Sequence, residues 1–250
     1  MKSRCSVGSA IALAITLVSS SVLIARATDD SGSAKGQIAS TTDLSGVWTR
    51  IRVGAGHRDD APAMTPWADS KYKSARAASA DPLAELSDTS FSCIPPGVPR
   101  IYDQAPPFEI IQVPGRVIMF FEFDHFVRQI FMDGRPHDKN IVPTWMGESI
   151  GTWDGDTLVV DTTGFNDKTR LDNLGHPHSD SLHLVERIHR VDHDTLEVDI
   201  AIDDPKSYVK SWGRQQFFQL KPDWHISERV CYDNLSFNDF YKKANRKSSK

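Results

Sequence analysis

The sequence lacks the signature motifs of several large enzyme classes, and its charges are not sorted onto one face. It contains no P-loop, no G-x-G-x-x-G motif and no H-E-x-x-H motif, so nucleotide-dependent and zinc-protease functions are disfavoured and no organic cofactor is predicted. The net charge is -4, with acidic and basic residues interspersed. No basic face indicates a nucleic-acid partner.

Long apolar runs are also missing, except near the amino terminus. Lys2 and Arg4 precede an apolar stretch at 7–24, and Ala-Arg-Ala at 25–27 has the pattern of a cleavage site. Residues 1–27 are therefore predicted to be a removed signal peptide, with a membrane anchor as the alternative. No later run approaches the roughly 20 apolar residues of a membrane span, so the mature chain is predicted to be periplasmic or secreted.

Cysteine is scarce, and removal of the signal peptide would leave only Cys93 and Cys231. In an oxidising compartment such a pair is predicted to form a disulfide. A catalytic cysteine is the less favoured alternative, because neither residue lies in a Cys-x-x-Cys motif or beside a histidine.

The remaining chain predicts one β-rich domain at 43–237, between a disordered leader at 28–42 and a charged tail at 238–250. A short helix is predicted from Pro66 to about Ala78, with Thr65 as its N-cap. Successive hairpins without crossover helices favour an all-β, antiparallel barrel. Strands are predicted at 108–113, 116–123, 127–132, 149–153, 157–163, 181–191, 195–202, 213–220 and 226–231. At the centre of this pattern, Asp154-Gly155 predicts a two-residue type I′ turn.

Glu186 is the clearest exception to the hydrophobic pattern. Alternation along its predicted strand places it on one face with Leu182, Leu184 and Ile188. Burying an ionised carboxylate is costly unless the charge is paired. Glu186 is therefore predicted to be either an interior catalytic acid or one half of a structural ion pair with Arg128.

Two further carboxylates, Glu122 and Asp161, are predicted to face the interior because they continue an apolar phase of their strands. The alternatives are a position at the rim for Glu122 and a hydrogen bond that supports the turn at Gly164 for Asp161. Together with Glu186 they offer the groups needed for acid–base catalysis.

Histidines provide the second group of candidates. His178 is predicted to be a mobile base or acid at the barrel mouth, and His176 a ligand-binding residue. The alternatives are surface histidines without a role, or a metal site to which His137 or Asp172 adds a ligand. The preferred prediction is that these residues bind no metal.

Aromatic and sulfur side chains near the central hairpin suit the wall of an apolar pocket. Trp145, Met146 and Trp153 are predicted to line it, with Arg128 orienting a small apolar or aromatic ligand. A packed core is the alternative role of the three apolar side chains.

Several long phrases resemble those of a largely uncharacterised family of exported bacterial proteins. They are PFEIIQVPGRV, MDGRPH, WMGESIGTWDGDTLVVDTTGFND, GHPHSDSLHLVER and VDHDTLEVDIAIDDP, and the resemblance covers most of 43–234. It implies an exported, lipocalin-like β-barrel with two matching cysteines. It implies no catalytic residue, cofactor or substrate.

Two functions are favoured by these features, and a structural or interaction domain with a filled interior is a third possibility. The first is an exported, cofactor-independent enzyme that uses acid–base chemistry as an isomerase, cyclase, lyase or hydrolase on a small apolar or aromatic molecule. The second is a non-catalytic barrel that binds a hydrophobic ligand. The fold alone does not distinguish them.

Overall fold

The computed structural model of the chain describes residues 42–51, 63–79 and 93–230, with the side chains of 78 and 79 excepted. All of these residues belong to one unit, 38–250. The predicted signal peptide, nearly all of the predicted leader, the charged tail and Cys231 lie outside the described residues.

Within the described ranges, nine strands form a closed barrel in which each strand pairs with its neighbours in sequence and β1 closes on β9. The prediction of an all-β, lipocalin-like barrel with a short helix before most of its strands is confirmed. The strands are β1 (Gly46–Ile51), β2 (Phe108–Val113), β3 (Arg116–Phe121), β4 (Val127–Phe131), β5 (Glu148–Asp154), β6 (Thr157–Thr163), β7 (His183–Arg190), β8 (Thr195–Asp203) and β9 (Trp212–Leu220).

One pair of strands departs from the predicted antiparallel meander. β4 and β5 run in parallel, with Ile130 opposite Ser149 and Phe131 opposite Ile150. Parallel neighbours require a long connection, and residues 132–147 supply it. Thr144, near its end, accepts a hydrogen bond from Asn166 N (2.8 Å) and donates one to Gly164 O (3.0 Å). The connection is thereby fixed to the chain that follows β6.

The central turn differs from the predicted type I′ geometry. Asp154 pairs with Thr157, so the two loop residues are Gly155 and Asp156 rather than Asp154 and Gly155. Only the first of them has positive φ, at 64° for Gly155. This is the pattern of a type II′ turn, which needs glycine at its first central position and tolerates other residues at the second.

The helix α1, Pro66–Ser79, begins where it was predicted to begin. Thr65 caps it, since its Oγ1 accepts a hydrogen bond from Ala68 N at 3.3 Å, and its own N–H is bonded to Ser207 O at 2.9 Å. No helix in the described part of the chain is long and apolar enough to span a membrane. The predicted strand at 226–231 is wrong for 226–230, which have no strand pairing.

The barrel interior is filled by aromatic side chains and a short 3-10 helix, Arg100–Asp103, whose four residues are buried. Tyr102 on this helix packs against Phe108, Phe121 and Phe218, with ring centroids 5.8 to 6.0 Å apart. Asp103 next to it pairs with Arg214 of β9 at 2.9 Å. These contacts place a plug of side chains where an open lipocalin-like barrel would hold its ligand.

The approach to β5 depends on glycine at position 147, and Gly115 in the β2–β3 turn provides a matched control. Both have positive φ, but an added Cβ at 147 would lie 2.7 Å from Thr163 O, whereas nothing lies within 4 Å at 115. We expect Gly115→Ala to cost about 1–2 kcal/mol of unfolding free energy for the backbone alone. Gly147→Ala should cost roughly 1–3 kcal/mol more because of the clash. Urea denaturation measures both, and equal losses would contradict the steric argument.

Candidate functional site

Glu186 lies in the barrel interior and forms a bidentate pair with Arg128. Its Oε1 accepts hydrogen bonds from Arg128 Nη1 at 2.9 Å and from the Tyr102 hydroxyl at 2.8 Å, while Oε2 accepts one from Arg128 Nη2. The side chain of Glu186 is 0% exposed and that of Arg128 is 1% exposed. The predicted burial of Glu186 and the alternative of an ion pair with Arg128 agree with this geometry.

Arg128 uses every one of its N–H donors in this network. Beyond Glu186, it donates from Nε to Ser149 Oγ (3.1 Å), from Nη1 to the Tyr102 hydroxyl (2.8 Å) and from Nη2 to Thr162 Oγ1 (3.0 Å). Burial opposes the charge of Arg128, but Glu186 and Tyr102 outweigh it and raise its pKa. Burial and Glu186 also raise the pKa of Tyr102. Such a saturated, buried network suits structural support better than proton transfer to a substrate.

Ser149 illustrates a misleading sequence match. Residues 147–151, GESIG, fit the letters of the G-x-S-x-G nucleophile motif. The motif requires a sharp turn from a strand into a helix, whereas Ser149 lies within β5 and its hydroxyl contacts Arg128 and Thr162 in the interior. It therefore belongs to the buried network.

The other two predicted interior carboxylates lie elsewhere. The prediction for Asp161 is wrong: on β6 the buried side chains are Leu158, Val160 and Thr162, so Asp161 points outward. Glu122 lies just after β3 and accepts a hydrogen bond from Ser227 N at 3.0 Å, which agrees with the rim alternative.

On the outer face, Asp161 joins a chain of alternating acids and histidines. Its Oδ1 lies 2.9 Å from His137 Nε2 and 3.0 Å from His183 Nε2, and the other ring nitrogen of His137 lies 2.8 Å from Glu148 Oε2. This chain ties the 132–147 connection to β5, β6 and β7. Among the residues that the structure describes, no set of three or more His, Cys, Asp or Glu side chains is arranged to hold a metal ion.

The predicted pocket wall is not assembled near the central hairpin. Trp153 is 38% exposed on the outside of β5, whereas Met146 packs against the core. Trp145 lies under the ammonium group of Lys168, 5.8 Å from its ring centroid. The three side chains therefore have three different environments. Trp153 is exposed because the last residues of β5 face the solvent.

His176 is buried in the loop that follows β6 and contacts both that loop and α1. Its Nδ1 lies 2.5 Å from Asp172 Oδ2, and its ring stacks on Tyr72 of α1 at 4.7 Å between centroids. Asp172 Oδ1 accepts hydrogen bonds from the backbone N–H groups of Leu174, Gly175 and His176. Burial opposes ionisation of Asp172, but the hydrogen bond and charge of His176 hold the pKa of that carboxyl below its ordinary value. The pair thus closes the loop and docks it on the helix.

His178 is also buried, at 1% exposure, so the prediction of a mobile group at the barrel mouth is wrong. Its Nδ1 lies 3.0 Å from Ser179 O, an acceptor, so Nδ1 carries the proton. Nε2 is therefore an acceptor, and the hydroxyl of Thr169 donates to it at 2.6 Å. Asp204 in turn accepts hydrogen bonds from the Ser179 N–H (2.6 Å) and hydroxyl (2.7 Å). The Thr169 hydroxyl, the His178 imidazole and the Ser179 carbonyl are thus linked in a row by hydrogen bonds. An activated nucleophile has the same order of hydroxyl, base and orienting group.

Thr169 and His178, which are 5% and 1% exposed, are among the residues that line a cleft of about 260 Å³ between α1 and the loop that follows β6. The cleft is lined by Trp67, Lys71, Ser74, Ala75, Asp167, Thr169, Arg170, Gly175, Pro177 and His178. A second and larger cleft, of about 610 Å³ along β7 to β9, is lined by no histidine. The first cleft is therefore the candidate active site.

Thr169 was not predicted as a site residue, because neither the strand periodicity nor the helix periodicity of the sequence places it near His178. The two residues meet because the loop folds back on itself, with Arg170 bridged to Pro177 and Leu171 N bonded to His176 O. Gly97, from the segment that follows the disulfide-bonded Cys93, packs so closely that an added Cβ would lie 2.6 Å from Thr169 Oγ1. Cys231, the predicted partner of Cys93, lies outside the described residues, and the Cys93–Cys231 pairing stays a prediction.

Burial lowers the pKa of His178 below its ordinary value of 6.5, although Ser179 O and the charges of Asp204 and Asp167 act in the opposite direction. A lowered pKa keeps the imidazole neutral over a wider pH range and also makes it a weaker base. Nε2 is therefore unprotonated near neutral pH and can accept a proton from Thr169.

No protein-family model matches the chain, and no curated protein matches it significantly. The resemblance to exported bacterial proteins therefore stays a prediction, and the site is interpreted from its geometry alone.

Removing the charge of Glu186 should destabilise the fold strongly. Glu186→Gln leaves the buried guanidinium of Arg128 without its counter-ion, and we expect a loss of about 3–5 kcal/mol in unfolding free energy. The double variant Arg128→Met, Glu186→Leu should lose less than the single variant, because no unpaired charge remains. Urea denaturation of the three proteins tests this, and a double variant that is less stable than Glu186→Gln would refute it.

His178 should also make stability depend on pH. Its folded-state pKa is depressed, so below about pH 6.5 the unfolded chain binds the proton more readily and stability falls as the pH falls. We expect His178→Gln to remove up to about 1.4 kcal/mol per pH unit of this slope between pH 6.5 and 5.5. The exposed His193 provides the control, since His193→Gln should keep the wild-type slope.

Proposed function

We propose that the protein is an exported, cofactor-independent hydrolase of small molecules, in which Thr169 and His178 are the catalytic residues. The observation that carries the proposal is the 2.6 Å hydrogen bond from the Thr169 hydroxyl to His178 Nε2 at the wall of a cleft. A hydroxyl becomes a competent nucleophile when an adjacent, oriented base can take its proton. The proposal narrows the acid–base reactions expected from the sequence to hydrolysis.

The reaction consists of two proton-coupled steps. Thr169 Oγ1 attacks the carbonyl carbon of an ester, its proton passes to His178 Nε2, and the imidazolium then protonates the departing alcohol oxygen as the carbon–oxygen bond breaks. Water attacks the resulting acyl-threonine, gives a proton to Nε2, and the proton returns to Thr169 Oγ1 as the acid is released. The bond from His178 Nδ1–H to Ser179 O holds the ring in place through both steps.

The site supports a small substrate. A volume of about 260 Å³ lies just below the range of roughly 300–1,000 Å³ that holds drug-sized ligands, so only a smaller molecule fits. Trp67 supplies an aromatic surface on one wall and is 41% exposed, which leaves its ring accessible. An apolar or aromatic ester fits these features.

The alternative of a hydrophobic-ligand-binding barrel has weaker support. Its ligand would occupy the interior, yet Phe108 packs there against Phe121 and Phe218 with ring centroids 5.3 and 5.0 Å apart. Arg128 and Glu186 fill the adjacent space with a closed polar network. The supported cleft lies outside the barrel.

Ester hydrolysis by purified variants tests the proposal. With p-nitrophenyl acetate and butyrate, we expect Thr169→Val and His178→Gln each to lower kcat/KM by at least about 100-fold, because each removes one half of the activated pair. Thr152→Val and His193→Gln, which alter exposed residues, should keep wild-type rates. The folded fraction of every variant is measured by circular dichroism.

Mass spectrometry of the wild-type protein gives an independent readout. Quenching in acid during turnover should trap an acyl group on the peptide that contains Thr169. Unchanged hydrolysis by Thr169→Val, or an acyl group on another residue, would contradict the proposed nucleophile.

A further inference from the structure

One wall of the cleft is a face of α1. Trp67, Lys71, Ser74 and Ala75 are separated by four, three and one residues, so they share one side of the helix. The helix is held at its start by Thr65 bonded to Ser207 and near its middle by Tyr72 stacked on His176. A wall held in this way can select what enters the site beside Thr169.

Lys71 is the cation of this wall. Its ammonium group lies 5.8 Å from the centroid of the Trp67 ring and makes no ion pair among the described residues. Lys73, two residues on, differs, because its ammonium is paired with Asp69 at 2.7 Å and it does not line the cleft. A cation beside an accessible aromatic ring, without a protein counter-ion, is well placed for an anionic ligand.

Two other lining residues carry a charge, Arg170 and Asp167. Arg170 has an interaction of its own, so the available cation is Lys71. The carboxylate of Asp167 interacts electrostatically with the imidazole of His178. The negative charge of the cleft therefore lies near the proposed base. The positive charge of Lys71 remains at the helix wall.

We infer that the substrate is a small aromatic carboxylate ester, whose free carboxylate contacts Lys71 and whose ring packs on Trp67 while the ester carbonyl reaches Thr169. The reacting end of this assignment rests on the proposed function, but the recognition of an aromatic carboxylate does not. Lys71 and Trp67 are thus specificity residues. A benzene ring with two substituents is small enough for the cleft volume of about 260 Å³.

Binding without turnover tests the recognition step. Fluorine NMR titration of 4-fluorobenzoate and its neutral analogue 4-fluorobenzamide into the full chain should show tighter binding of the benzoate, by about fivefold. Lys71→Met should remove this preference and leave the benzamide affinity unchanged. Lys73→Met is the matched control and should keep the preference. Trp67→Ala should weaken both probes by about tenfold, because it removes the stacking surface.

Turnover tests whether the same groups select the substrate. The mono-4-nitrophenyl ester of terephthalic acid carries a free carboxylate, and its methyl 4-nitrophenyl diester is neutral. Wild type should hydrolyse the anionic ester with the higher kcat/KM, and Lys71→Met should lower that value about fivefold through KM while the diester is unaffected.

The two proposals fail in different ways. If Thr169 is not the nucleophile, Thr169→Val keeps both the benzoate preference and the hydrolysis rate, and the recognition inference stands. Equal binding of benzoate and benzamide by wild type, no binding of either, or a preference that survives Lys71→Met would overturn the inference about Lys71, even if esters are hydrolysed.

Discussion

The buried pair of Arg128 and Glu186 is the constraint on which the rest of the barrel depends. Its partners come from β4, β5, β6, β7 and the internal 3-10 helix, so five parts of the chain must be in register for all the donors to be satisfied. A slip of one residue in β7 would turn Glu186 to the outside and leave a buried guanidinium unpaired. The charged pair therefore specifies the register of the barrel wall, which apolar packing alone would fix less strictly.

Alternation in the sequence predicted the barrel because most of its strands bury one face. The strand bounds at 108–113 and 157–163 match those observed, and Glu186 was placed with its apolar neighbours because β7 has a clear phase. The phase of β6 was ambiguous, since Val159 and Val160 give both faces an apolar residue, and Asp161 was assigned to the wrong side. The parallel pairing of β4 with β5 was not predictable, because the 132–147 connection carries no signal of direction.

The candidate site was only half visible in the sequence, for a physical reason. His178 attracted attention as a histidine in a loop, but its burial and its tautomer depend on Ser179, Asp204 and Thr169, which meet only after the loop closes. Loops have no period from which contacts follow. The proposed function implies a division of roles. The interior would serve stability, and the proposed chemistry would lie between α1 and the loop outside the barrel wall, where substitutions would change specificity without disturbing the core.

The closure of β1 on β9 also has a consequence for the order of assembly. Trp48 pairs with Leu220, so the first and last strands of the described chain must meet before the sheet has no free edge. Contacts between such distant residues form late and slowly, because the intervening loop entropy is lost first. Until β9 pairs with it, β1 exposes an unpaired edge that can add to another chain. The barrel is thus most vulnerable to aggregation before its last strand is available, and the closing pair ends that exposure in one step.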